Sequence, residues 1–165
     1  MSAQRVFNVL FVCTSNSARS ILAEAILNSM RGAPFRAFSA GSHPRGSVSP
    51  YALRVLQDNR ISTEGLRSKD WAEFADPSAV ALDFVFTVCD KAAGEVCPVW
   101  PGQPLTAHWG VPSPSDHGPD GDVLHQYAEV AQTLRRRIEL LVALPIEKLD
   151  RIALQKEISS IGQQR

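Results

Sequence analysis

The chain has 165 residues, 44% of them hydrophobic and 21% charged, with 17 basic side chains set against 17 acidic ones. That length suits one domain with a substantial core, and a formal net charge of zero gives no footing to a nucleic-acid or anionic-membrane partner. No apolar run nears the ~18–20 residues of a membrane span, and no small-residue cleavage pattern follows the opening MSAQRVFNVLFVC, which reads as the first strand of a cytoplasmic protein.

RVFNVLFVC (5–13) is a β-rich apolar run of strand length. SILAEAILNSMR (20–31) sets Ile21, Leu22, Ala25, Ile26 and Met30 on one helical face, with Gly32 to stop it. FRAFSAG (35–41) is a second short strand, and SPYALRVLQDN (49–59) a helix with Ser49 as cap and Pro50 in its first turn. SKDWAEFA (68–75) reads as a shorter helix, ALDFVFTVC (81–89) as a strand buried on both faces, and LTAHWG (105–110) as a fourth strand. Residues 98–121 hold Pro98, Pro101, Pro104, Pro112, Pro114 and Pro119 and are mostly loop, placed inside the chain as a functional surface segment. A long helix over about 122–143 carries Tyr127, Val130, Leu134, Ile138 and Leu141 at helical spacing, and a helical extension follows Pro145, over about 145–162. Strands alternating with helices predict a single α/β domain spanning 1–165, a parallel sheet covered on both faces.

Three cysteines, Cys13, Cys89 and Cys97, are too few for a disulfide scaffold and too widely spaced for a CxxC metal site. In a reducing compartment, thiols this sparse are either buried packing or redox and nucleophilic chemistry.

The stretch VLFVCTSNSARS (9–20) decides which question to ask of them. An apolar strand ends on Cys13, a small polar loop follows, and a helix opens at Arg19. Strand, loop and helix is how folds present backbone N–H groups to an anion. Cys13 then sits at the base of the loop and Arg19 contacts the anion bidentately from the helix start. The helix N-terminus and Arg19 both favour the reactive thiolate of Cys13. Asn16 and Ser20 either donate to the sulfur or hold the loop's shape, and Asn16 tolerates left-handed backbone angles. The alternative is a cysteine buried in the core.

VLFVCTSNSARSILAEAIL resembles the C-x5-R-S phosphate-binding loop of the low-molecular-weight protein tyrosine phosphatase superfamily, and most of all its thiol-dependent arsenate reductases. The likeness continues through FSAGSHPRGSVSPYALRVL, LRSKDWAEF, DFVFTVCD, CPVWPG and HWGVPSP, covering most of residues 5–115. It implies a three-layer α/β/α fold with a four-stranded parallel sheet. Cys13 becomes the nucleophile, Arg19 the oxyanion clamp, and Thr14, Ser15, Asn16, Ser17, Ala18, Arg19 and Ser20 the oxyanion-binding loop. No cofactor or metal is implied.

Where comparable phosphatases carry methionine before aspartate, this chain has Cys89 before Asp90, and a further thiol, Cys97, precedes a proline. Thioredoxin-coupled arsenate reductases have two cysteines in this region, at a spacing one residue shorter. The resemblance thus implies reduction of arsenate through a Cys13 adduct resolved by Cys89 and then Cys97, with thioredoxin, or glutaredoxin with a small thiol such as glutathione, as reductant. If 89–97 began as helix, eight residues at ~1.5 Å rise would separate the two by about 12 Å. A disulfide needs Cα atoms within about 7 Å, so the segment has to bend or unwind. The rival readings are an aryl phosphatase and a non-catalytic oxyanion binder.

Two departures stand out. The family's general-acid aspartate after HWG is replaced by Ser113, leaving Asp116 as the nearest carboxylate. A cation site of some reductases, built partly from a carboxylate after the serine of LRS, is not carried over, because Lys69 stands near that place, beside Ser68. Glu24 and Ser39, which match its other members, are read as ordering the loop. His108 and Trp109 are read as structural.

Overall fold

A computed structural model of the protein describes residues 5–94 and 100–164. The chain runs β1 (Phe7–Val12), α1 (Arg19–Asn28), β2 (Phe35–Ala40), α2 (Pro50–Asp58), a 3-10 turn (Trp71–Phe74), β3 (Phe84–Thr87), the one-turn helix α3 (Asp90–Ala93), β4 (Leu105–His108), α4 (Asp120–Ala143), a second 3-10 turn (Ile146–Lys148) and α5 (Arg151–Ile161). The four strands are all parallel, in the order β2-β1-β3-β4. Central β1 is apolar on both sides because both of its faces are covered, and Val9, Leu10, Phe11 and Val12 are fully buried.

On one face Phe11 and Phe86 lie beside Trp109, whose ring stacks 3.8 Å from Phe86. Helix α1 covers this face, since the Ser39 hydroxyl of β2 donates to Glu24 of α1. Helix α5 reaches it too, where Trp109 Nε1 donates to the Ile158 carbonyl at 2.9 Å. On the opposite face Phe74 packs against Phe38, and Trp71 meets Trp100 edge-on.

Some elements differ from the sequence pattern. Helix α1 stops at Asn28, short of Arg31: the Ser29 hydroxyl takes the Ile26 carbonyl, and the Asn28 side chain bonds the Ala37 main chain of β2. The 68–75 segment is a 3-10 turn rather than an α-helix. Its start is tied to β2 by Trp71 N–H on the Gly41 carbonyl, and Asp70 caps Ala72 N–H, which leaves too little chain for a regular helix. Ser49 and Pro50 open α2 as expected. Helix α4 begins at Asp120, with Asp120 and Asp122 complementing its N-terminal dipole. No helix among the described residues is long and apolar enough to cross a membrane.

Parallel strands deliver all their carboxyl ends to one edge, where α/β folds place their sites. Cys13, Gly41, Val88 and Trp109 leave the sheet there.

Candidate active site

Residues 13–18 join β1 to α1. Their carbonyls are engaged on the outer side: Thr14 O accepts from His43 N–H at 2.9 Å, Ser15 O from Arg45 N–H at 2.9 Å, and Ser17 O from Ser49 N–H at 2.8 Å. Ser68 also donates its hydroxyl to Ser15 O. A tight loop whose carbonyls point outward turns its amides inward, which is a nest for an anion. Gly41 permits this packing, because a Cβ there would lie 2.5 Å from Thr14 O and 2.6 Å from Cys13 O.

Asn16 takes the left-handed conformation, φ +43°, and is fully buried. Its amide donates to Ser20 Oγ at 2.8 Å and Ser39 Oγ at 3.0 Å, and its oxygen accepts from Lys69 N–H at 2.8 Å. Of the two expected roles for Asn16 and Ser20, these bonds are the shape-holding one. Among the described residues no side chain caps α1 and its first turn has no acidic residue, so its N–H groups face a ligand. At the same helix start Arg19 donates from Nη1 to the Val111 carbonyl at 3.1 Å.

Behind the loop, Lys69 is buried with its ammonium 3.7 Å from Glu24 and donating to Ser39 O at 2.8 Å. The Ser39 hydroxyl donates to Glu24 at 2.6 Å. Burial raises the Glu24 carboxyl and lowers the Lys69 ammonium, and each partner's charge opposes the other's shift. A protein-borne cation therefore sits beside Glu24 and Ser39, which here order the loop as expected.

Cys13 and Cys89 are both buried free thiols, and each shifts the other's titration. Cys89 Sγ also accepts from Thr14 N–H at 3.3 Å and Ala92 N–H at 3.4 Å, and lies 3.6 Å from Thr14 Oγ1. The neighbouring Cys13, the Thr14 hydroxyl and the two amides pull the Cys89 thiol down to about 5. The neighbouring Cys89, with burial, pushes Cys13 up against the downward pull of Arg19. The helix N-terminus and Arg19 alone favour the anion on Cys13, but the Thr14 and Ala92 amides that meet Cys89 favour it there. Cys97 lies outside the described residues.

At the mouth, Asp116 accepts from Tyr127 Oη and stands 3.8 Å from Arg45. Ser49 donates to Tyr127 at 3.2 Å, which links this carboxylate to the residue bonded to Ser17 O. Tyr127 is pushed up to about 12 by burial and by Asp116. Ser113 is exposed on the same loop, just beyond Val111. Trp109 is structural as expected, but His108 does have polar partners: Thr87 Oγ1 and Asp90 Oδ1, each at 2.8 Å. The register sets Thr87 opposite His108, and that pairing is what the linear sequence hides. Tyr127 and Ser49 were likewise read only as core and cap, and no short-range pattern marks them as neighbours of the site.

The chain matches the family model for low molecular weight phosphotyrosine protein phosphatase over residues 8–157. It is 32% identical over 111 residues to arsenate reductase 1 of Staphylococcus epidermidis, covering 65% of this chain and 77% of that protein. Among solved structures it is similar to an arsenate reductase in the phosphate binding state, with a TM-score of 0.66 and 27% identity over 84% of this chain and 98% of that one. It is also similar to the Corynebacterium glutamicum thioredoxin-dependent arsenate reductase, with a TM-score of 0.57 and 25% identity over 85% of this chain and 65% of that one.

Proposed function

The chain belongs to the low molecular weight phosphotyrosine protein phosphatase family, and from that premise we propose that it is an arsenate reductase. The observation that carries this reading is the second thiol, Cys89, held by the Thr14 and Ala92 amides beside the cysteine at the base of the anion loop. A phosphatase has no use for a second thiol held there by two backbone amides; a reductase needs one.

Arsenate enters the nest of residues 14–20, with Arg19 as the bidentate clamp. Cys13 passes its proton to Cys89 as its sulfur bonds arsenic, and an arsenate hydroxyl leaves as water with a proton drawn from solvent. With Cys13 bonded to arsenic, the Thr14 and Ala92 amides again favour Cys89 as thiolate, its proton going to solvent. Cys89 then attacks the Cys13 sulfur. The S–S bond forms, the S–As bond breaks with its electron pair on arsenic, and arsenite leaves; the two thiols have lost the two electrons that arsenic gains. Cys97 next exchanges onto Cys89 and frees Cys13, and a dithiol of the thioredoxin class, or a small thiol with glutaredoxin, reduces the Cys89–Cys97 bond.

A phosphatase reading is favoured by one observation, the Asp116 carboxylate held by Tyr127 near the loop. One experiment separates the two. Reduced protein is given arsenate, quenched with an alkylating agent and mapped by mass spectrometry. The relay yields a Cys89–Cys97 disulfide with an equal amount of arsenite, stalls at Cys13–Cys89 in Cys97→Ser, and forms no disulfide in Cys89→Ser. Arsenite released only when glutathione is supplied, with Cys97→Ser harmless, gives the small-thiol route. Thiols that stay reduced throughout sink the reductase reading.

A further inference from the structure

Arg137 lies on α4 among Leu134, Ile138 and Leu141 and is only 5% exposed. Among the described residues its partners are all main-chain carbonyls. Nη1 donates to Trp109 O at 2.7 Å and Gly110 O at 3.0 Å, while Nε and Nη2 donate to Gln164 O at 3.3 and 3.0 Å. Burying a guanidinium is costly, and only a full set of good acceptors offsets it. Neutral carbonyls are weaker partners for it than a carboxylate, so what matters is which carbonyls they are.

The next carbonyl along, that of Val111, accepts from Arg19. Consecutive carbonyls at 109, 110 and 111 are thus held by two guanidiniums, one from α4 and one from the anion loop. The main-chain amides of this stretch are fixed as well, Trp109 N–H on Thr87 O at 2.7 Å and Val111 N–H on Val88 O at 3.1 Å. The Arg19 guanidinium takes its aim from Val111 O, and the position of Val111 O depends on the strap behind it. The chain after α5 completes the arrangement. Gly162 lets it pass so close to the strap that a Cβ would collide with His108 O and meet Trp109 Cδ1 at 2.8 Å. Gln164 O then reaches Arg137.

We infer that Arg137 is a positioning residue of the oxyanion site, setting the Arg19 guanidinium through the 109–111 strap, and that the segment after α5 belongs to the same device. This rests on the oxyanion-loop reading above and adds to it a residue outside the loop. Loss of Arg137 frees two carbonyls of the strap, which drifts, and Arg19 loses its fixed acceptor before any anion arrives. The cost then falls on anion affinity through Arg19 rather than on the fold alone.

The test is a double-mutant cycle on the full chain, read by calorimetry with inorganic phosphate and by thermal unfolding. Arg137→Met weakens phosphate binding by about tenfold in the Arg19 chain, the scale of a partly lost charge-assisted hydrogen bond. In an Arg19→Lys chain the same change alters affinity less than about twofold, because there is no coupling left to lose, while the unfolding midpoint falls equally in both. An equal loss of affinity in both chains, or none in either, overturns the inference and leaves the loop reading standing. Phosphate affinity indifferent to Arg19→Lys itself overturns both. If Arg137→Met does not fold, Arg137→Lys and a chain ending at Gln163 are put through the same cycle and judged by the same two ratios.

Discussion

Cys13 and Cys89 stand beside one another at adjacent strand ends. Val12 and Thr87 are paired in the β1–β3 register and Val88 N–H bonds Val12 O, so the residues that follow them emerge side by side. The two thiols are coupled in titration, and the Thr14 and Ala92 amides favour the anion on Cys89.

Replacing Cys89 by alanine therefore makes Cys13 more acidic, since the neighbouring thiol that pushes it up disappears and the pull of Arg19 remains. Thiolate absorbance in the wild type shows one group titrating at about 5. In Cys89→Ala that step vanishes and Cys13 titrates below its wild-type position, with faster iodoacetamide labelling at neutral pH. Unchanged Cys13 reactivity would show that the thiols are not coupled.

Lys69 holds the back of the loop. Lys69→Met leaves Glu24 buried without its cation and destabilises by about 3–5 kcal/mol, the scale of breaking a buried pair from one side. The pH dependence has a definite sign. The folded-state pKa of Glu24 is raised above the ordinary 4.5, so the native state binds more protons and stability falls as pH rises from that value through the folded pKa. Removing Lys69 raises that pKa further and extends the fall to higher pH. Denaturant melts across pH 4–8 check this, and Glu24→Gln added to Lys69→Met removes the slope. A flat profile in Lys69→Met would mean that Glu24 draws its compensation elsewhere.

The acid for a phosphatase reaction is tested at two positions. Ser113→Asp places a carboxylate where the family resemblance expects the general acid and raises aryl phosphate turnover by ~10²–10⁴, the range of a positioned acid. Asp116→Asn lowers it where Asp116 has taken over that task, and Tyr127→Phe, which removes the donor that holds Asp116, then lowers it as well. If Asp116→Asn changes nothing, Asp116 is only a tie between the mouth loop and α4.

Much of this was legible in the chain. The anion loop announces itself locally, because strand, polar filler and helix start are consecutive and Cys13, Asn16, Arg19 and Ser20 need no distant partner to be noticed. The central strands β1 and β3 were legible from the apolar runs VLFV and FVF, which is what burial on both faces requires. Non-local pairings were not. Which thiol is favoured as the anion depends on amides of Thr14 and Ala92 meeting Cys89, residues that only the β1–β3 register brings together. His108 looked partnerless because Thr87 and Asp90 are distant in sequence. The 68–75 segment has helical composition, but its tie to Gly41 overrides that propensity.

The strap at 109–111 also bears on how the molecule comes into being. Thr14 N–H meets Cys89 at a sequence separation of 75, and Arg19 meets Val111 at 92. Loop closure over such distances comes late in folding. The anion loop, though contiguous, is therefore an unfinished pocket on a nascent chain until β3 and β4 have docked. Its bracing from behind waits longer still, until Gln164 has left the ribosome and reached Arg137. Until then Cys13 is a thiol without its partner thiol.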